Sequence, residues 1–277
     1  MIQLQNVTYA YQDGTHTDTV LHQINLTVRP GEWVAITGAN GSGKSTLSRL
    51  FNGLFVPTEG EITVAGHDLQ QPSQRDLVKQ RVQLVFQNPD AQLVGLTPVE
   101  DVAFGLENRG LPRNEIQARI EQVLRQVGLE HKRSADVSTL SGGQKQRLAI
   151  ASCLALQPDL LIFDEATSML DPKGRRAVYQ IARDLWRQGM TVIWVTQRLD
   201  ELLEAERVLV MERGEIVFDG AARVLFYESE LPETLGWEVP AVIRIGYWLQ
   251  ARKVPLHALP LREEGLEEWL CELTVQT

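Results

Sequence analysis

The residues Gly38-Ala39-Asn40-Gly41-Ser42-Gly43-Lys44-Ser45 have the types and spacing of a phosphate cradle. Gly38, Gly41 and Gly43 let the backbone turn its N–H groups inward around an anion. A helix starting at Lys44 adds the favourable end of its dipole. Lys44 supplies a point charge between a β- and a γ-phosphate, Ser45 a hydroxyl for Mg²⁺, and Thr46 a contact to an α-phosphate. This is a P-loop, and it predicts a nucleoside triphosphate. Further along, Asp164 and Glu165 close an apolar run. Asp164 is placed to hold Mg²⁺ through water. Glu165, beside a γ-phosphate, is the candidate general base that polarises an attacking water.

A second pattern, Leu140-Ser141-Gly142-Gly143-Gln144, precedes that apolar run. Ser141 is placed to cap a helix whose glycines allow close approach. It makes an anion site with no lysine of P-loop type beside it. One active site does not need both this and the glycine loop.

These residues must be held by a layered α/β fold. Ile2–Tyr9 and Leu21–Val28 alternate and read as a hairpin ahead of the core, with Asp13-Gly14 opening the turn. Trp33–Thr37 is a buried strand running into the glycine loop, and a helix from Lys44 to about Asn52 follows. Glu61–Val64 and Val82–Phe86 read as short strands. From Pro98 to Val127 the apolar spacing is helical, and Gly128 closes it. Gly142–Leu156 reads as a helix and Leu160–Phe163 as a central parallel strand. Helix Lys173–Arg187, strand Thr191–Val195 and a hairpin Arg207–Phe218 about Gly214 complete a domain near residue 228. The tail, residues 229–277, reads as two amphipathic helices, Ala241–Arg252 and Leu261–Leu273.

Bulk properties narrow the function. A length of 277 residues suits one large domain and a small appendage. A net charge of −9 disfavours a non-specific nucleic-acid role, because phosphate backbones attract basic surfaces. Cys153 and Cys271 have no metal-like spacing and read as bland thiols in a reducing compartment. The first residues lack the form of a signal peptide. No apolar run approaches the roughly 20 residues needed to cross a bilayer. Service to a membrane would go through a partner.

Together, the P-loop at Gly38–Ser45, the Leu140–Gln144 signature and the strand Leu160–Glu165 resemble the ATP-binding cassette (ABC) ATPases over residues 1–228. The resemblance implies a RecA-like P-loop core with an N-terminal antiparallel β subdomain and a helical subdomain at about 88–156. It also implies ATP and Mg²⁺ as ligands. In that family Ser141, Gly142, Gly143 and Gln144 bind the γ-phosphate held by a second cassette's P-loop, so two cassettes must meet face to face. Tyr11 resembles the aromatic that stacks on adenine, with Tyr9 as the alternative. Gln87 resembles the glutamine that ligates Mg²⁺ and reports to a membrane partner, and Asp171 the acid that crosses the dimer interface.

One position departs. The family places a histidine on the γ-phosphate after the strand Val192–Thr196, and here that residue is Gln197. Gln197 is either a tolerated substitute or the mark of weakened turnover at this chain's own P-loop. The second reading makes the two sites of a pair unequal and favours a heterodimer.

Gln87–Val94, Val99–Asn108, Asp164–Pro172 and the tail, with its Val254-Pro255-Leu256 turn and Glu263-Glu264, resemble the ATPases of energy-coupling factor (ECF) transporters, importers of vitamins or transition-metal ions. That implies a second cassette, a transmembrane scaffold subunit and, through it, a substrate-binding membrane subunit. It implies a place on the cytoplasmic face of a prokaryotic membrane, a tail that helps the ATPases pair, and no nucleic-acid partner. Leu93, Val94, Leu96 and Phe104 would line a groove for a partner's amphipathic helix. The alternatives are a non-transport ABC ATPase of the translation or DNA-repair type, or a partly degenerate regulatory cassette. Only one cassette is found, and the interval between the two motifs lacks sustained heptads.

Overall fold

The structure is a computed structural model that describes residues 1–14, 16–252 and 259–261. Its strands form two sheets. In the first, β1 (Ile2–Asp13) and β2 (His16–Val28) form a bulged antiparallel hairpin. On the other side of β1 lie β4 (Glu59–Val64) and then β5 (His67–Asp68), in the order β2-β1-β4-β5.

The second sheet has six strands. They are β3 (Trp33–Gly38), β6 (Val82–Val85), β7 (Leu160–Asp164), β8 (Thr191–Val195), β9 (Arg207–Glu212) and β10 (Glu215–Gly220), ordered β10-β9-β3-β8-β7-β6. All neighbours are parallel except β10 on β9.

The central strands are apolar throughout because both faces are covered. Their alternation sorts residues between two cores. Val34, Ile36, Leu160, Ile162, Ile193 and Val195 face the first sheet and the helix α1 (Lys44–Phe51). Trp33, Ala35, Leu161, Phe163, Val192 and Trp194 face the opposite core, which also takes residues from α3 (Pro98–Glu107), α4 (Arg113–Gln126), α5 (Gly142–Ala155) and α6 (Pro172–Arg187).

The helical stretch expected from Pro98 to Val127 is two helices. α3 ends before the turn at 108–110, and Gly128, at φ 67°, follows α4. The sequence reading did not find α2 (Pro72–Arg81), which buries only Val78 and so carries no amphipathic period.

After β10 come α7 (Ala222–Tyr227), α8 (Leu231–Thr234) and α9 (Ala241–Ala251). Ile243 of α9 and the half-buried Trp237 and Tyr247 join the same core as α3–α6. Tyr247 donates its hydroxyl hydrogen to the Phe226 carbonyl, and Tyr227 donates to that of Pro260 at 2.6 Å. The expected helix Leu261–Leu273, the turn Val254–Leu256 and Cys271 lie outside the described residues, apart from Leu261. Among the described residues no helix is long and apolar enough to cross a membrane.

Candidate nucleotide site

The carboxyl ends of parallel strands are where such sheets bind ligands. Here β3, β8 and β7 lie side by side, pairing Ile36 with Val195 and Val195 with Asp164. Their ends bring together the glycine loop, Asp164-Glu165 and Gln197.

Two glycines of the loop are dictated by space. A Cβ on Gly38 would lie 2.1 Å from the Met211 carbonyl oxygen. One on Gly43, at φ 100°, would lie 2.7 Å from Leu21 Cδ2. Gly43 precedes α1, so the first amides of that helix have no side-chain cap.

Lys44 is 4% exposed. Its Nζ donates to the carbonyls of Gly38 and Ala39, both at 2.8 Å, and lies 3.5 Å from Ser42 Oγ. Burial lowers its pKa, while Glu165 and Asp164 act in the opposite direction.

Ser45 donates to Asp164 Oδ1 at 3.1 Å. Burial raises the Asp164 pKa, and the Ser45 hydrogen bond opposes it. This hydroxyl and this carboxylate are oxygen donors of the kind that suits a hard cation holding waters and phosphate oxygens. Among the described residues no cluster of three His, Cys, Asp or Glu side chains could hold a metal by itself.

Glu165 has φ 51°, outside the usual range for a residue with a side chain. Its carboxyl Oε1 accepts from Gln197 Nε2 at 2.6 Å, and the same nitrogen donates to Asn40 Oδ1 at 2.8 Å. The three residues form a bridge from the end of β7, across the second residue after β8, to the glycine loop. Sequence reasoning named all three and missed that they touch.

Tyr11 places its hydroxyl 3.1 Å from Thr46 Oγ1, on the first turn of α1. Tyr9 is stacked on Phe55, with ring centroids 5.0 Å apart. Of the two tyrosines, Tyr11 is thus the one bonded to the P-loop helix.

The remaining residues lie on other elements. Gln87 follows β6 with its side chain exposed. Its preceding residue is pinned, because Phe86 donates its N–H to Gln92 Oε1 at 3.0 Å and accepts from Gln146 Nε2 at 2.9 Å. Ser141 caps α5 through a full capping box, in which Ser141 Oγ accepts from the Gln144 N–H and Gln144 Oε1 accepts from the Ser141 N–H. Asp171 caps α6, with Oδ1 accepting from the Gly174 N–H at 2.7 Å. The two helix starts abut at Gly143, where an added Cβ would lie 3.3 Å from Gly174 Cα. No hydrogen bond among the described residues joins Ser141–Gln144 to the glycine loop. Leu93 packs on the helical core, while Val94, Leu96 and Phe104 are exposed beside it. Cys153 is buried, with its thiol pushed up to about 12 by that burial.

A six-stranded, mainly parallel sheet with a glycine loop, a buried lysine and a strand-end carboxylate pair defines a P-loop nucleotide-binding cassette. Comparison with known proteins makes this narrower. The family model described as "ABC transporter" matches residues 21–168. The energy-coupling factor transporter ATP-binding protein EcfA1 of Halalkalibacterium halodurans is 44% identical over 267 residues, covering 96% of this chain and 95% of that protein. EcfA1 of Symbiobacterium thermophilum is 43% identical over 275 residues, covering 97% and 96%. Among solved structures, cbiO1 of Clostridium perfringens, described as part of the ABC transporter complex cbiONQ, superposes with a TM-score of 0.76. It is 32% identical, over 90% of this chain and 98% of that one. An ATP-binding cassette solved as a dimer after hydrolysis, with ADP and Pi, gives 0.73 at 31% identity, over 80% and 99%. The chain belongs to the ABC transporter ATPase family, among the ATP-binding proteins of energy-coupling factor transporters.

Proposed function

We propose that this chain is the ATP-hydrolysing subunit of an ECF-type importer, driving uptake of a vitamin or transition-metal ion through membrane partners. One observation carries the reading of a paired cassette. The chain presents a phosphate cradle at Gly38–Thr46 and a capped glycine helix start at Ser141–Gln144, and the two are not bonded to each other. Each is half of a site that a second cassette would complete.

In this reading the loop amides and Lys44 hold the β- and γ-phosphates, Thr46 meets the α-phosphate, and Tyr11 stacks on adenine. Ser45, Asp164 and Gln87 would hold Mg²⁺, which shields phosphate charge when bound. Glu165 accepts a proton from water as that water attacks the γ-phosphate. Ser141, Gly142, Gly143 and Gln144 serve the partner's γ-phosphate, and Asp171 lies at the shared interface. ATP binds the closed pair better than the open one, and that difference does the mechanical work. The exposed apolar residues Val94, Leu96 and Phe104 receive a helix of the transmembrane scaffold, and the chain works at the cytoplasmic face of the membrane.

A second reading, a cassette with reduced hydrolysis, is favoured by Gln197 alone. Lys44, Asp164 and Glu165 argue against a purely regulatory role. The test is purification of the chain from its own cells with whatever accompanies it. A second cassette and a transmembrane protein are expected. Recovery with ribosomes or DNA, and no membrane protein, would remove the transporter reading.

A further inference from the structure

Glu201 has no part in the site described above. It sits in the short turn Leu199–Leu202 after β8 and is 8% exposed. Oε2 accepts from Trp194 Nε1 at 2.9 Å and from Thr196 Oγ1 at 2.7 Å. Oε1 accepts from Thr167 Oγ1 at 2.8 Å. The Arg198 guanidinium Nε lies 3.5 Å from that same oxygen.

The partners of this carboxyl group are informative. Thr196 immediately precedes Gln197, and Thr167 follows Glu165 by two residues. The loop carrying Glu165 is a tight turn, with the Ser168 N–H and hydroxyl both donating to the Glu165 carbonyl. Glu165 holds a positive φ there, which persists only where the surroundings enforce it. On the other side, the Thr196 N–H donates to the Ile36 carbonyl at 3.0 Å, tying it to β3. Glu201 therefore joins the turn behind the candidate base to the strand end that carries its hydrogen-bond partner.

Stability alone is a poor reason for this arrangement. A buried carboxyl group is costly unless every oxygen is paired, and apolar packing of similar volume often serves as well. What the carboxyl group supplies is a fixed distance between two backbone segments.

We propose that Glu201 is a positioning residue. By bonding Thr167 and Thr196 together, it keeps the Glu165 carboxylate within hydrogen-bond reach of Gln197 and aimed at the water it activates. The proposal rests on the reading of Glu165 as general base.

The test uses the complex purified from its own cells, with kcat and KM for ATP, ATP-analogue affinity and melting temperature measured for each variant. Glu201→Ala should lower kcat about 10- to 100-fold, the scale of a small misplacement at a reacting group, while KM and affinity hold. Glu201→Gln should restore most of that loss. Its amide oxygen can face Trp194 and Thr196, and its nitrogen can donate to the Thr167 hydroxyl, which accepts as well as donates. Thr167→Val keeps the buried shape and removes one bond, so it should lower kcat severalfold at unchanged affinity. That variant and Glu201→Gln decide the matter if Glu201→Ala does not fold. A Glu201→Gln protein as impaired as Glu201→Ala, an unchanged kcat in Thr167→Val, or KM rising as far as kcat falls would each overturn the proposal. Glu165→Gln run in parallel separates the two ideas. If that variant keeps its turnover, hydrolysis runs mainly at the partner's site and the reading of Glu165 on which the proposal rests has failed; if it is inactive and Thr167→Val is normal, only the positioning role has failed.

Discussion

The N-termini of α1 and α5 both carry glycine, as Gly43 just before α1 and as Gly142 and Gly143 in the first turn of α5, but their amides are treated differently. α1 starts after Gly43 with no side-chain cap, beside a buried lysine and two carboxylates. α5 starts after Ser141 with a capping box, and its nearby Lys145 is paired to Asp90 at 2.7 Å. The first end concentrates charge whose burial is unfavourable for Lys44 and Asp164 alike. Phosphate and a cation would offset that cost. At the second end the capping box takes up the Ser141 and Gln144 N–H groups, which leaves an anion the Gly142 and Gly143 amides, the dipole and a close-approach surface. The difference suits a holder of nucleotide at one end and a late-arriving clamp at the other.

The comparison can be broken at the α1 end first. Glu165→Gln should lower turnover by about 10²- to 10⁴-fold, the usual contribution of a general base, with ATP still bound. A small loss, read in steady-state phosphate release by the complex, would assign hydrolysis mainly to the partner's site. Lys44→Met should weaken ATP binding by about 10- to 100-fold, the worth of charged hydrogen bonds. Equilibrium binding to the full chain checks this, and unchanged affinity would mean that the cradle is not the nucleotide site.

A smaller effect sharpens the account. Gln197 donates to both Glu165 and Asn40, so its amide hydrogens are engaged within the chain. Gln197→His should raise turnover severalfold and add a titration step near pH 6.5, about where imidazole changes charge. An unchanged or lower rate across that range would end the case for a weakened site.

How much of this could be read from sequence differed by region. The glycine loop is local: eight consecutive residues state both the backbone path and the chemistry. The strands β3, β7 and β8 were legible as apolar runs because both of their faces are covered. The capping box at Ser141 and Gln144 was also local, since its two residues stand three apart. In contrast, the Gln197 bridge spans 32 residues to Glu165 and 157 to Asn40, and no periodicity links them. Nothing local in the sequence marks Glu201 as buried; only the packing of its turn against Trp194 and Thr167 buries it. α2 escaped notice for the opposite reason, since it lies largely exposed with a single buried residue.

The central claim is that the α5 end acts on nucleotide held by another cassette. Ser141→Glu tests it most directly. An acid at a helix N-terminus favours the dipole, so α5 should fold, while its charge repels a phosphate. ATP affinity of the full chain alone, and turnover of the assembled complex, would be measured on one preparation. Unchanged affinity and a loss of most turnover are expected. Weakened affinity in the isolated chain, or normal turnover in the complex, would contradict it.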